Sequence, residues 1–117
     1  MTHSSQNNGF FWHEKLDVFH LALEFSRWVH RVGPKVPRGR SHIRDQLNRA
    51  SDSVVLNICE GAAYPGKAGR NYFRIALRSI GESHGAICLL EILGVPDTEA
   101  GFKLAHGIRA RLGGLAR

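Results

Sequence analysis

Four stretches of this chain repeat their apolar residues at the period of an α-helix, and glycine or proline interrupts the chain between them. In the first, Val18, Ala22, Phe25, Val29 and Val32 step by four and three, and Phe19 and Leu23 widen the stripe. The spacing predicts a helix over 13–32, ended by Gly33-Pro34. A short basic linker follows. Ile43, Leu47, Ala50, Val54 and Ile58 mark a second helix, with Ser41 as its expected N-cap and its end near Gly61. Residues 64–69 read as a loop. A third helix over 70–93 turns Phe73, Ala76, Leu77, Ile80, Ile87 and Leu90 inward, and Gly94-Val95-Pro96 stops it. Asp97 or Thr98 is the expected cap of a fourth helix, with Glu99 in its first turn. Leu104, Ile108, Leu112 and Leu115 form its stripe, and Gly113-Gly114 weakens its last turn. No internal repeat or useful strand pattern competes. Short connections between amphipathic helices point to an all-α fold, an antiparallel up-down-up-down four-helix bundle over 12–117 with a flexible leader over 1–11. Helices of about 20 residues span about 30 Å, so the bundle is expected to be a rod.

The 117 residues, 43% of them hydrophobic, suit one domain with one core. No apolar run approaches the roughly 18 residues of a membrane span. The polar, uncharged start MTHSSQNNG lacks the basic and apolar regions of a secretory signal, so a cytoplasmic protein is expected. Cys59 and Cys88 form no CxxC pair and read as buried free thiols; Glu60 beside Cys59 disfavours a thiolate.

Net charge is +6 and the pI about 10.0, which draws a chain toward polyanions. The charge is uneven. Lys67, Arg70, Arg74 and Arg78 occur over 67–78 with no acid, and Lys103, Arg109, Arg111 and Arg117 over 103–117 with none. Arg70, Arg74 and Arg78 recur every four residues and so form one ridge, about 6 Å per step, with Tyr72 and Phe73 interleaved. That step is close to the phosphate spacing of a nucleic-acid strand. Lys67, Arg70, Arg74 and Arg78 are therefore the candidate nucleic-acid-binding residues; the competing reading is a solvated helix face. No helix-turn-helix or other base-reading module is present, so little sequence preference is expected.

The second helix carries a polar stripe beside its apolar one: Gln46, Ser53, Asn57 and Glu60, with Arg49 next to it. Ser79 and Glu82 stand one turn apart on the third helix. These seven residues read as a structural polar network that fixes register or subunit contact, or else as a ligand site. Asn57→Leu is expected to strand polar partners at about 1–3 kcal/mol each.

The string Gln46-Leu47-Asn48-Arg49-Ala50, then Ser53, then Asn57-Ile58-Cys59-Glu60-Gly61 resembles the second-helix signature of the 23S rRNA intervening-sequence protein family, which usually has Ala where Cys59 stands. Tyr72-Phe73, Ala76, Arg78-Ser79 and Gly81-Glu82-Ser83 resemble its third-helix pattern, and Lys15-Leu16-Asp17-Val18-Phe19 its start. The loop over 64–69 departs from the family's more polar, basic loop. The resemblance covers roughly 11–115. It implies antiparallel four-helix protomers assembled as homopentamers, some encoded inside intervening sequences of large-subunit rRNA genes. A related branch, the accessory variability protein of diversity-generating retroelements, is a basic barrel that binds a reverse transcriptase and nucleic acid. A physical motive to associate comes from Phe19, Leu23 and Trp28, which widen the first helix beyond what a small bundle is expected to hide.

Enzymatic and metal chemistry find little footing. His13, Asp17, His20 and Glu24 line one helical face, but a metal centre draws ligands from several helices, and a solvated face is the plainer reading. No GxxxxGK[ST], GxGxxG or HExxH occurs, and Ser53 and Ser79 lack recognisable His and Asp partners. No cofactor is implied. The expectation is a non-enzymatic, homo-oligomeric basic scaffold that binds RNA or DNA, with a protein partner such as a reverse transcriptase; the alternative is a purely structural assembly module.

Overall fold

The computed structural model describes residues 11–117 and contains four long helices: α1 (Asp17–Val32), α2 (Ser41–Ala63), α3 (Gly66–Ile92) and α4 (Thr98–Leu115). The leader expected over 1–11 lies, Phe11 apart, outside the described residues. No strand occurs among the described residues, so the fold is all-α. None of the helices is long and apolar enough to cross a membrane.

The apolar stripes do the work their spacing predicts. Val18, Ala22, Phe25, Val29 and Val32 of α1 are buried, as are Ile43, Leu47, Ala50, Val54 and Ile58 of α2. They meet Ile80, Ile87 and Leu90 of α3 and Ile108 and Leu112 of α4 in one core. α1 packs on α2 and α4, and α3 packs on the same two, so the helices close a four-sided ring. Across the most extensive of these contacts, Ser53 meets Ser79 and Gly61 faces Phe73. Positions that rise along α2 meet positions that fall along α3. The same inversion relates α1 to α4, where Arg111 reaches Asp17 and Trp28 lies against Gly101. The extents are 42 × 32 × 20 Å, a slab rather than the expected rod. The 27 residues of α3, at about 1.5 Å each, account for the long axis.

Helix ends differ from expectation where a local rule gives way to packing. α1 starts at Asp17, not His13: residues Trp12–Lys15 form a separate 3-10 turn, and Leu16 is extended at φ −92, ψ 124. Ser41 is the first helical residue rather than the cap; Arg40 holds that place with no side-chain hydrogen bond. The loop expected over 64–69 shrinks to Tyr64-Pro65, and α3 begins at Gly66. A Cβ on Gly69 would collide with the backbone oxygens of Tyr64 and Gly61, so this glycine lets the first turn of α3 press against the end of α2. Gly66, by contrast, has open space around it and makes the turn with a left-handed backbone at φ 65. Asp97 does precede α4, but as a left-handed residue at φ 68 with no side-chain cap bond. Gly113 and Gly114 stay helical, and Arg74 Nε donates to the Ala116 carbonyl at 2.9 Å, which supports the last turn.

The wide apolar sector of α1 is resolved within one chain. Trp28 is 0% and Phe19 6% exposed, and Leu23 is half-buried against the core. Those residues supply no motive to associate. Trp28 is covered because α4 has no side chain at Gly101: a Cβ there would overlap the indole ring. The indole Nε1 donates to the Asp97 carbonyl at 2.9 Å, which satisfies its buried polar atom. Arg111 Nε donates to Asp17 Oδ2 at 2.8 Å, and this bond holds the Asp17 carboxyl below its ordinary value. Both side chains are exposed, so the pair adds little stability.

Gly101→Ala should therefore lower stability by about 1–2 kcal/mol, net of the roughly 1 kcal/mol that alanine adds to helix propensity. Gly81→Ala, on α3, meets nothing within 4 Å and should raise stability by about 0.5–1 kcal/mol. Urea denaturation of the two variants measures both, and equal responses would show that the Trp28 contact does not constrain α4.

Candidate functional site

The polar residues singled out on α2 and α3 separate into three groups. The first is a true inter-helix junction. Ser79 Oγ donates to Ser53 Oγ at 2.8 Å across the α2/α3 seam, and Asn57 Nδ2 donates to Ser53 Oγ at 3.0 Å and to the Ser53 carbonyl at 2.9 Å. Ser83, which is fully buried, continues the chain by donating to the Ser79 carbonyl at 3.0 Å. The second group is local: Arg49 Nη2 donates to Gln46 Oε1 at 3.0 Å on the surface of α2. The third, Glu60 and Glu82, is exposed and forms no ion pair among the described residues.

The seven residues thus do not form one network. Both of Asn57's bonds stay within its own helix, so Ser79, not Asn57, makes the crossing bond. Ser83 was missed as a member, although its position four residues after Ser79 placed it on the same face. The neighbouring motif residues have a packing reason as well. A Cβ on Gly61 would come within 2.8 Å of the Phe73 ring, so the glycine that closes the α2 motif and the aromatic that opens the α3 motif form a matched pair.

Lys67, Arg70, Arg74 and Arg78 all lie on α3. Lys67, Arg74 and Arg78 are exposed and Arg70 is half-buried. Arg74 is anchored: besides its bond to Ala116, its Nη1 donates to Asn71 Oδ1 at 3.1 Å. Neither acceptor is charged, so the guanidinium keeps its full charge while its position is fixed. None of the four forms an ion pair among the described residues. Of the interleaved aromatics, Phe73 belongs to the core and Tyr72 stacks on Tyr64 with ring centroids 5.9 Å apart.

On the face of His13, Asp17, His20 and Glu24, the first three residues are tied into their surroundings. The His13 ring lies edge-on to Phe19 at 4.6 Å, His20 Nε2 meets the Glu14 carbonyl at 2.9 Å, and Asp17 is held by Arg111. Among the described residues no group of three or more His, Cys, Asp or Glu is arranged to hold a metal ion. Both cysteines are free, and burial, followed by the Glu60 carboxylate, pushes the Cys59 thiol up. A raised thiol is a poor nucleophile at neutral pH.

The Ser53–Ser79 bond should be measurable. Ser53→Ala and Ser79→Ala are each expected to cost about 1 kcal/mol, with a coupling of about 0.5–1.5 kcal/mol in a double-mutant cycle, whereas Asn57→Leu should disturb the α2/α3 seam less than either. A cycle with no coupling in urea denaturation would remove the junction from the account of this seam.

A family model described as 23S rRNA-intervening sequence protein matches residues 14–110. No curated protein and no solved structure matches the chain.

Proposed function

Because the chain belongs to the 23S rRNA-intervening sequence protein family, we propose that it acts as a non-enzymatic, homo-oligomeric basic scaffold that binds RNA or DNA with little sequence preference. The observation that carries this reading is a set of cations left without acidic partners. Among the described residues Arg70, Arg74 and Arg78 of α3 and Lys103 and Arg109 of α4 form no ion pair, and three ion pairs elsewhere engage only Arg31, Arg44 and Arg111. Unneutralised guanidiniums, one of them anchored at Arg74, suit phosphate recognition, because the planar fork can grip phosphate oxygens in two places. Repetition of the surface around an oligomer lets weak single contacts add through multivalency.

Self-association is part of the proposal, with five copies as the number the family resemblance implies. Its physical support is the apolar surface that one chain leaves open on α2 and α3: Leu56 is 63%, Leu89 48% and Ile92 81% exposed. These replace Phe19 and Trp28 as the residues that an assembly would cover. A protein partner such as a reverse transcriptase and a cytoplasmic setting belong to the same reading.

Two measurements test it. Fluorescence anisotropy with a labelled oligonucleotide should show binding that weakens as salt rises, through counterion release. Changing Arg70, Arg74 and Arg78 together to Gln should lower affinity and reduce the slope of log K against log salt by up to about 2, with helical circular dichroism retained. Light scattering should give a single species of about five chains. A wild type that ignores RNA and DNA at low salt would transfer the case to the alternative, a structural assembly module, and a monodisperse monomer at micromolar concentration would overturn the assembly.

A further inference from the structure

We propose that the cleft between α3 and α4, rather than the α3 ridge alone, is the place where a single-stranded nucleic acid is gripped, with one unpaired nucleotide seated in it. The inference rests on the nucleic-acid reading above and gives it a location.

The cleft has a volume of about 560 Å³, within the roughly 300–1,000 Å³ of clefts that hold small ligands. Its walls are built for a group that is flat and apolar at one end and anionic at the other. Leu77 and Ile80 form an apolar floor, His84 and His106 supply two imidazole rings, Arg109 and Arg117 supply the charge, and no carboxylate side chain lines it. The rings are organised. His84 is held by the Phe102 ring at 5.3 Å and the His106 ring at 5.4 Å between centroids, and its Nδ1 lies 3.8 Å from Cys88 Sγ. His106 lines the cleft, is exposed and makes no hydrogen bond among the described residues, so its ring nitrogens are open to a ligand even though the ring touches His84. Arg109, one helical turn from His106, forms no ion pair among the described residues.

Part of the cleft wall carries no side chain. Gly81 of α3 and Gly113 and Gly114 of α4 line it, and a Cβ on any of the three meets no atom within 4 Å. A glycine inside a helix costs stability, so Gly81 in the middle of α3, on a cleft that also collects cations, marks space kept for something else. Base–aromatic stacking combined with an arginine on the phosphate is the chemistry by which single strands are held without sequence preference. A paired base cannot present its face to such a cleft, so single strands are preferred over duplex. Through its bond to the Ala116 carbonyl, Arg74 of the ridge reaches the end of α4 whose Gly113, Gly114 and Arg117 line the cleft.

The decisive variant changes no charge. Gly81→Leu fills the cleft and leaves every arginine in place, while the open surroundings of Gly81 protect the fold. Anisotropy with a fluorescein-labelled 12-nucleotide oligouridylate, and with the same strand annealed to its complement, reads the effect. Gly81→Leu should weaken the single strand about tenfold and remove its advantage over duplex, at an unchanged melting temperature or a higher one. His106→Ala and Arg109→Gln should each weaken it several-fold, in the range expected for one lost stack or one charge-assisted hydrogen bond. Wild-type binding with all three variants within twofold of it would overturn the cleft and leave the general nucleic-acid reading standing. No wild-type binding at low salt would overturn both.

Discussion

The indole of Trp28 occupies the space where α4 would otherwise carry a side chain at position 101, and much of the molecule follows from that contact. The largest side chain of α1 is wholly buried only because Gly101 lets the backbone of α4 come against it. The indole N–H also finds its acceptor in Asp97, the left-handed residue from which α4 departs. One side chain therefore sets both how closely α4 lies on α1 and where α4 begins. With that edge closed, the remaining face of α4 must lie opposite α3. The α3/α4 cleft lies on that side, where glycines and alanines stand between the imidazoles and arginines that line it.

The two halves of the bundle are held by different means. The α2/α3 half is a tight hairpin in which glycines admit close neighbours: Gly69 receives the turn backbone and Gly61 receives the Phe73 ring. Hydroxyls and an amide, not ions, fill its seam, and each buried hydroxyl there has a partner. A seam of neutral, directional groups fixes register without the desolvation penalty of a buried ion pair. Charge is left on the outside, where the excess of bases over acids raises the potential that a polyanion meets.

Neutral carbonyl and amide acceptors position Arg74, and aromatic and sulfur contacts position His84. The acceptors of Arg74 are uncharged, so its guanidinium is not neutralised. An anchored, uncompensated guanidinium such as Arg74, set among cations without acidic partners, differs from an ordinary solvated helix face, whose long side chains are mobile and whose charges alternate in sign. The nucleic-acid reading draws its physical content from that difference.

The helices and most of their inward faces were legible in the chain, because the 3.6-residue period of apolar side chains is a property of each helix by itself. Family membership was legible too, since Asn57-Ile58-Cys59-Glu60-Gly61 and the Ser79 to Ser83 segment keep their order and spacing. Helix ends were less so: Ser41 enters α2 rather than capping it, and Gly69, which reads as loop, is drawn into α3 by the close approach of the α2 end. What only the tertiary structure decided is which small residue faces which large one. Nothing along the sequence pairs Trp28 with Gly101, Gly61 with Phe73, or His84 with His106 and Arg109, because each partner lies on another helix and meets it only at the register the core imposes. The sequence by itself determined four amphipathic helices and an excess of positive charge. The fold decided which side chains vanish into the core, which arginines are anchored, and where two helices leave a basic cleft open between them.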